Sequence, residues 1–222
     1  MVANLTNEQL AAWSEGLVEV IEDFDSDSTL RRLCRAIGQL VPVDYSAVFV
    51  LRNGKPPLEI LDEVPENALS IRYPQSPYLL DPIFDHFLKG TLPAIALLDD
   101  LSPDEFFESD YFREYWGVLE LVSEFAINAW YDDSTVVHMP LSRSKGSPPF
   151  SGAEIEILSA ISPVVIATMN RFWSAHGASL ATDDDNASSF HGHLQFVLEN
   201  FGSTLLTTRE LEIVRLTMRG YS

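Results

Sequence analysis

The chain has 222 residues, of which 46% are hydrophobic and 11% aromatic, which suffices for a buried core and excludes a disordered tail. Acidic residues outnumber basic ones 33 to 14, and the net charge of -19 argues against tight nucleic-acid binding by the chain as it stands. Cys34 is the only cysteine, so it forms no intrachain disulfide, and its apolar neighbours predict a small core residue. The polar first residues do not resemble a signal peptide, and no stretch approaches the roughly 18 uncharged apolar residues of a membrane span. We therefore expect a soluble cytoplasmic protein.

The first 64 residues predict two helices and a β-hairpin. Thr6 to Gln9 has the pattern of a capping box and opens a helix to about Glu22. A second helix before Pro42 carries one apolar face, formed by Leu30, Leu33, Ile37 and Leu40. The apolar runs Tyr45–Leu51 and Leu58–Val64 flank turn residues, which indicates the hairpin.

The middle of the chain predicts two helix starts. Asp81 followed by Pro82 combines an N-cap with proline at the first helical position. Ser102-Pro103-Asp104-Glu105 combines the same signals with a glutamate at the third position, and predicts a further helix. A short strand is predicted between them, near Ala94 to Leu98. The segment after Glu105 is crowded with aromatic residues: Phe106, Phe107, Tyr111, Phe112, Tyr115 and Trp116.

A second hairpin and a long helix follow. Leu121–Trp130 and Thr135–Leu141 flank the turn residues Asp132-Asp133-Ser134. Ser151 to Glu154 is another capping box, and proline at 163 predicts a kink or short break in the helix it opens. The apolar stripe of that helix consists of Leu158, Ile161, Val165, Met169 and Phe172, and Gly177 is its predicted end.

The last part of the chain has a different composition. Small and polar residues from 177 to 189 predict a domain boundary, a helix is predicted at Phe190–Phe201, and Thr207 to Glu210 forms a capping box. We therefore divide the chain into a folded domain (1–176), a linker with a helix (177–205) and a C-terminal helical segment (206–222). Because the predicted strands are paired as hairpins, we expect the α+β fold class, with an antiparallel sheet and flanking helices.

Residues 206–222, LTTRELEIVRLTMRGYS, resemble the start of a LuxR-type helix-turn-helix, whose pattern is Leu-Thr-x-Arg-Glu, an amphipathic helix and then glycine. In that family the next residues supply the recognition helix, which this chain does not contain. The resemblance implies an incomplete DNA-binding unit. Arg209, Arg215 and Arg219 are therefore expected to be solvated, and no DNA-binding residue is assigned.

The upstream part is similar to the GAF-like or PAS-like sensor domains that precede LuxR-type DNA-binding units. The residues that carry this similarity are Tyr78-Leu79-Leu80-Asp81-Pro82, Leu101 to Phe107, Arg143, Phe150-Ser151 and Ile161-Ser162-Pro163. The resemblance implies a five- or six-stranded sheet and a small-molecule cavity. Acyl-homoserine-lactone receptors share the Asp-Pro pair, in which the aspartate binds the ligand amide, and Tyr73-Pro74 fits the same signature, although the usual upstream tryptophan is missing.

The candidate ligand-binding residues join a polar tip or a charge to apolar surroundings, and they are Tyr78, Asp81, Tyr111, Trp116 and Trp130. Two plainer interpretations remain open. Asp81 is equally suited to be a helix N-cap, and the aromatic residues to be ordinary core.

The sequence contains no pattern that supports metal binding or catalysis. His191-Gly192-His193 supplies only two metal ligands, and the remaining histidines, His86, His138 and His176, are scattered. Asp99-Asp100 and Asp132-Asp133 are expected in solvent-facing loops. We expect no catalytic residues, no metal and no cofactor.

Two functions therefore compete. The first is the sensory region of a DNA-binding transcription regulator, a homodimer that binds a small-molecule effector and acts on DNA only when its recognition helix is present. The second is a ligand-free protein-interaction or dimerisation module. The stripe Leu158–Phe172 either contributes to a dimer interface or is buried against the domain's own sheet.

Overall fold

The structure is a computed structural model that describes residues 5–26, 28–64, 72–182 and 207–218. Its helices are α1 (Asn7–Glu22), α2 (Thr29–Leu40), α3 (Pro82–Leu88), α4 (Leu98–Leu101), α5 (Gly152–Thr182) and α6 (Thr208–Met218). Its strands are β1 (Tyr45–Arg52), β2 (Leu58–Asp62), β3 (Ile95–Leu97), β4 (Leu121–Asp132) and β5 (Thr135–Ser144).

The five strands form one sheet in the order β2-β1-β5-β4-β3, and every neighbouring pair is antiparallel. Both predicted hairpins form, β1 with β2 and β4 with β5. In the second hairpin the Asp132 side chain accepts hydrogen bonds from the backbone and hydroxyl of Ser134, which closes the turn. The α+β class and the antiparallel sheet are confirmed.

One face of the sheet is covered by α1, α2 and α5, and apolar side chains form its main cluster. Val48 and Val50 of β1 and Phe125, Ile127 and Ala129 of β4 point to this side. The stripe of α5 packs on them, with Leu158, Val165, Met169 and Phe172 fully buried and Ile161 at 8% exposure. Of the two roles proposed for the stripe, burial against the domain's own sheet is the one observed. Cys34 lies in the same core, as predicted.

Helix α5 is longer and more regular than the sequence suggests. It continues unbroken through Pro163, and the Ser162 hydroxyl donates to the Ser159 carbonyl at 2.9 Å, the acceptor that proline leaves without an N–H donor. The predicted end at Gly177 is wrong, because the helix continues to Thr182. A Cβ at position 177 would lie 2.6 Å from the Trp173 ring. The glycine therefore permits close packing rather than ending the helix. Among the described residues, α5 is the one helix whose length and composition could span a membrane, but its stripe is part of the core.

Arg143 of β5 fixes the start of α5 to the sheet. Its guanidinium donates to the Pro42 carbonyl from Nε at 3.1 Å and from Nη2 at 3.0 Å, and Nη2 also donates to Glu154 Oε1 at 2.6 Å. The same group lies 4.5 Å from the centre of the Phe150 ring. These contacts explain why a charged side chain is buried at this position.

The helix predicted from Ser102 is wrong. The Ser102 hydroxyl donates backwards to the Leu98 carbonyl at 2.8 Å and so closes α4 instead of capping a new helix. A 3₁₀ turn at Phe106–Glu108 and a π-helical turn at Phe112–Trp116 follow, separated by Ser109, whose hydroxyl accepts from the Phe112 backbone. Asp99-Asp100 is exposed, as predicted, but lies in α4 rather than in a loop.

Helix α6 forms where the terminal capping box predicts it. Thr207 and Glu210 exchange the two capping-box hydrogen bonds, at 2.7 and 3.3 Å. Each of its described side chains, Arg209, Ile213 and Leu216 among them, is exposed or half-buried. The predicted helix at Phe190–Phe201 and the histidines at 191 and 193 lie outside the described residues, and the division into three regions stays a prediction.

Candidate functional site

The second face of the sheet carries both aromatic and polar side chains. Alternate residues of the three central strands face this side because side chains alternate along a strand, and these residues are Tyr45, Ala47, Phe49 and Leu51 of β1, Glu124, Ala126, Asn128 and Trp130 of β4, and Val136, His138, Pro140 and Ser142 of β5. Helices α3 and α4 and the 3₁₀ and π-helical turns cover them with a second buried cluster. The candidate site lies between these two layers.

Asp81 is buried at 4% exposure at the start of α3. Its Oδ1 accepts from the Ile83 backbone at 2.7 Å, so the N-cap interpretation is confirmed, and its Oδ2 accepts from the Tyr73 hydroxyl at 2.6 Å. Burial raises the pKa of Asp81 to about 6, while hydrogen bonds from Tyr73, Ile83 and Tyr111 act in the opposite direction. The carboxyl group is thus a capping group and a member of the buried site at once.

Three tyrosines surround this carboxyl group. The ring centre of Tyr115 lies 5.6 Å from that of Tyr73 and 5.6 Å from that of Tyr111, and Phe49 of the sheet lies 4.6 Å from Tyr73. Burial raises the pKa of all three hydroxyl groups far above the ordinary value, so they remain neutral hydrogen-bonding groups. We call Tyr73, Tyr111 and Tyr115 the tyrosine cluster.

A second buried carboxyl group, Glu124, belongs to this site and was not among the predicted residues. Its Oε2 accepts from the hydroxyl of Ser142, its cross-strand partner, at 3.1 Å. Burial raises the pKa of Glu124 to about 8, and the charge of Asp81 raises it further, against a smaller lowering by Ser142 and Trp116. An acidic residue in the otherwise uncharged run Leu121–Trp130 was the signal that could have identified it.

The Trp116 indole N–H lies beside Glu124. It is buried and makes no hydrogen bond by geometry, yet it is close enough to the carboxyl group to lower its pKa. A buried N–H donor gains from a strong acceptor, and the neighbouring Glu124 carboxyl group becomes a stronger one when it ionises.

A cavity of about 30 Å³, partly open to solvent, lies next to these groups. Its lining includes Tyr45, Ser46, Phe49, Tyr115, Glu124 and Ser142. A space of this size holds on the order of one or two water molecules.

The structure brings four of the five predicted site residues into one cluster. Tyr78, Tyr111 and Trp116 are buried with Asp81, and the Tyr78 and Tyr73 ring centres are 6.3 Å apart. Trp130 is half-buried and packs against the edge of this cluster: its indole N–H donates to the Leu92 carbonyl at 3.0 Å and its ring packs on Phe87. Of the six aromatic residues after Glu105, Phe106, Tyr111, Tyr115 and Trp116 are buried, Phe112 is half-buried and Phe107 is exposed.

The remaining polar groups of this face have structural partners. His138 Nδ1 lies 2.7 Å from Asn128 Oδ1, and the Asn128 amide donates to the Pro93 carbonyl at 2.9 Å. Burial lowers the pKa of His138 to about 3, so its ring is neutral. No group of three or more metal-ligating side chains occurs in the part of the chain that the structure describes.

No protein-family model matches the sequence, and no curated protein matches it. Solved structures do match the fold. The VqsR LBD domain from Pseudomonas aeruginosa is similar to this chain at 25% identity and a TM-score of 0.64, over 72% of this chain and 96% of the other. CepR2 from Burkholderia cenocepacia, described as an N-acylhomoserine-lactone-dependent LuxR-family transcription factor, matches at 15% identity and a TM-score of 0.54, over 78% and 98%.

The phycoerythrobilin-bound GAF domain of a cyanobacterial phytochrome matches more distantly, at 12% identity and a TM-score of 0.51, over 78% of this chain and all (100%) of the other. These matches are a domain termed LBD, a LuxR-family transcription factor and a GAF domain of a phytochrome. The described domain therefore has the GAF-like fold of LuxR-type regulator sensor domains, and the resemblance predicted from the sequence is confirmed at the level of fold.

Proposed function

We propose that this chain is the sensory region of a cytoplasmic, homodimeric LuxR-type transcription regulator, which binds a small molecule and controls a C-terminal helix-turn-helix. The observation that carries the proposal is the tyrosine cluster with its two buried carboxyl groups, Asp81 and Glu124, in a regulator-type sensor fold. Buried carboxyl groups cost free energy of folding, and strongly perturbed pKa values inside a buried site are typical of functional groups.

Two further features support the regulator part of the proposal. Helix α6 exposes Ile213 and Leu216, as expected of a helix that packs within a larger helix-turn-helix unit. Helix α1 exposes Leu10, Val18 and Ile21, apolar side chains that a second copy of the chain would cover in a homodimer. DNA contacts then belong to a complete protein with its recognition helix.

The alternative, a ligand-free interaction or dimerisation module, is favoured by two observations. Small-molecule sites commonly have volumes of roughly 300–1,000 Å³, whereas the cavity beside Glu124 measures about 30 Å³. In addition, the Tyr73 hydroxyl already occupies Asp81 Oδ2. A ligand amide that binds Asp81 must therefore share Oδ2 with Tyr73 or displace it, with a local rearrangement of the site.

A thermal-denaturation assay separates the two functions. The wild-type chain and Asp81→Asn are melted with N-acyl homoserine lactones of short to long acyl chains, and Asp99→Asn serves as a control because Asp99 is exposed. Asparagine caps a helix about as well as aspartate, so Asp81→Asn is expected to fold. A ligand at about 100 times its Kd stabilises the folded state by roughly 2.7 kcal/mol, which raises Tm by several degrees.

The sensor proposal expects this shift in the wild type and in Asp99→Asn, and its loss in Asp81→Asn. A shift of equal size in all three proteins places the ligand elsewhere. No shift with any lactone, together with ligand-independent dimerisation in sedimentation experiments, supports the interaction module instead.

A further inference from the structure

The cavity beside Glu124 has a carboxyl group in its wall, which an acyl-lactone ligand would not require. A ligand for this cavity is inferred on the basis of the sensor function proposed above. Glu124 and Ser142 form its polar wall, and the rings of Tyr45, Phe49 and Tyr115 line it. The Ser46 hydroxyl, also at the lining, is committed to Glu63 Oε2 at 2.5 Å. Glu124 is thus the charged group available to a ligand there.

In the described part of the chain, Glu124 has no basic side chain as an ion-pair partner. The groups that face it are Asp81 at the start of α3, Asp99 of α4, the Ser142 hydroxyl of β5 and the Trp116 indole. The hydroxyls of the tyrosine cluster are also nearby, since the charge of Glu124 raises their pKa values. Among the described residues, no arginine, lysine or histidine forms an ion pair with Glu124 or Asp81. The positive charge that does act on the tyrosine cluster, that of Arg72 on Tyr115, is paired with Asp62 at 2.6 Å rather than with Glu124 or Asp81.

The rest of the lining also favours a cation. Tyrosine and phenylalanine rings attract an ammonium group through their electron-rich faces when it lies within about 6 Å of the ring centre. The net charge of -19 draws small cations towards the chain as a whole. An ammonium head group is about the size of a water molecule, so it fits a cavity of about 30 Å³, whereas a lactone ring does not.

We propose that this cavity binds the head group of a small primary ammonium ion, whose N–H groups donate to the Glu124 carboxylate and to the Ser142 hydroxyl oxygen. The rings of Phe49 and Tyr115 lie around its charge. The Trp116 indole N–H, which lies beside Glu124, then donates to the ionised carboxylate, which accepts more strongly than the neutral acid. The effector of the regulator, on this view, is an amine.

Binding of an ammonium ion is coupled to the loss of a proton from Glu124. Because burial raises the pKa of Glu124 to about 8, the group is mostly neutral at pH 7 in the free protein, with roughly one-tenth ionised. The ammonium ion selects the ionised form. Its affinity is therefore expected to increase about tenfold between pH 7 and pH 9, over which the ionised fraction of Glu124 increases about tenfold.

Isothermal titration calorimetry with methylammonium chloride tests the proposal at constant ionic strength. The wild type is titrated at pH 7 and pH 9, and at pH 7 in two buffers of different ionisation enthalpy to count the protons released. Glu124→Gln removes the charge while keeping the shape of the side chain, and Glu15→Gln is the matched control because Glu15 is exposed on α1. We expect release of nearly one proton at pH 7, at least tenfold weaker binding by Glu124→Gln, and unchanged binding by Glu15→Gln.

Three results overturn the proposal: equal binding by Glu124→Gln, binding of the wild type without proton release, or an equal response to ethanol, a neutral molecule of similar size. A melting curve establishes that Glu124→Gln is folded. If methylammonium fails while a lactone shift that depends on Asp81 is present, only the amine inference is lost and the sensor function stands. If methylammonium binds as expected and no lactone does, the sensor function stands with an amine as its effector.

Discussion

The two faces of the sheet are built from the same strands but differ in what they bury. The face under α1, α2 and α5 holds aliphatic and aromatic side chains, among them Leu158, Met169 and Phe172. The opposite face holds Asp81 and Glu124 beneath a layer of tyrosines. Because strand side chains alternate, a single strand such as β4 contributes to both, with Phe125 on one side and Glu124 on the other.

This difference indicates that the two faces of the sheet have different roles. Burial of apolar side chains stabilises the fold at roughly 25 cal/mol per Å², whereas a buried carboxyl group lowers stability unless its partners compensate. The apolar face therefore supplies the stability that permits carboxyl groups to be kept under the opposite face. The following substitutions test this comparison.

The largest effect is expected on the apolar face. Phe172→Ala empties a fully buried position on α5 and should lower the free energy of unfolding by about 3–5 kcal/mol. Val164→Ala on the same helix is the control, since Val164 is 46% exposed and its truncation should cost less than about 0.5 kcal/mol. Urea denaturation measures both. Similar losses for the two variants would contradict the assignment of this face as the main source of stability.

The structural features that were predicted best from the sequence are those that depend on local contacts. The capping boxes at Thr6 and Ser151 and the N-cap at Asp81 form as predicted, because each needs only hydrogen bonds within about three residues. The signal at Ser102 failed because two outcomes are locally similar: its hydroxyl can cap the following turn or, as observed, bond back to Leu98.

The residues that form the candidate site were harder to predict from the sequence. Tyr78, Asp81, Tyr111 and Trp116 are predicted because each joins polar and apolar character; the structure buries them together, and their role in ligand binding stays a prediction. Glu124 was missed because its burial depends on its strand partner and on segments distant in the chain. Trp130 met the same criterion as the others, but its indole is committed to the Leu92 carbonyl, a contact between residues 38 positions apart. Such pairings depend on tertiary structure and have no local signature.

On the polar face, Glu124→Gln should increase stability in a pH-dependent way. The folded state keeps the proton of Glu124 up to about pH 8, whereas in the unfolded chain the group ionises near 4.5, so the wild type loses stability as pH rises through this interval. Between pH 6 and pH 8, the stability of Glu124→Gln relative to the wild type should rise by roughly 2 kcal/mol. Urea denaturation across this range measures it, with Glu15→Gln as a control. A constant difference would show that Glu124 titrates normally.

Tyr73→Phe should have a smaller effect, centred on Asp81. It removes the hydroxyl that donates to Asp81 at 2.6 Å and leaves a buried carboxyl oxygen with one fewer partner, at a cost of about 1–2 kcal/mol. Because that hydrogen bond favours the ionised form, the pKa of Asp81, about 6 in the wild type, should rise. Carboxyl-carbon NMR titration measures the pKa, and Asp132 serves as an internal reference because it is exposed and distant along the sheet. An unchanged Asp81 pKa would exclude the proposed pairing.

The smallest effect is expected for Ser142→Ala, and its dependence on Glu124 makes it the finest test of the polar face. The Ser142 hydroxyl donates to Glu124 Oε2 at 3.1 Å and lowers the pKa of that group, so its removal should raise the Glu124 pKa above about 8 and cost about 1 kcal/mol where the carboxylate is ionised. Below that pH the neutral acid needs the hydroxyl less, and the cost should shrink. Combined with Glu124→Gln, the serine substitution should therefore lose its pH dependence altogether, because the titrating partner is gone. If Ser142→Ala costs the same at pH 6 and pH 9 in both backgrounds, the two side chains do not act as a pair, and Glu124 is held in the site by packing alone.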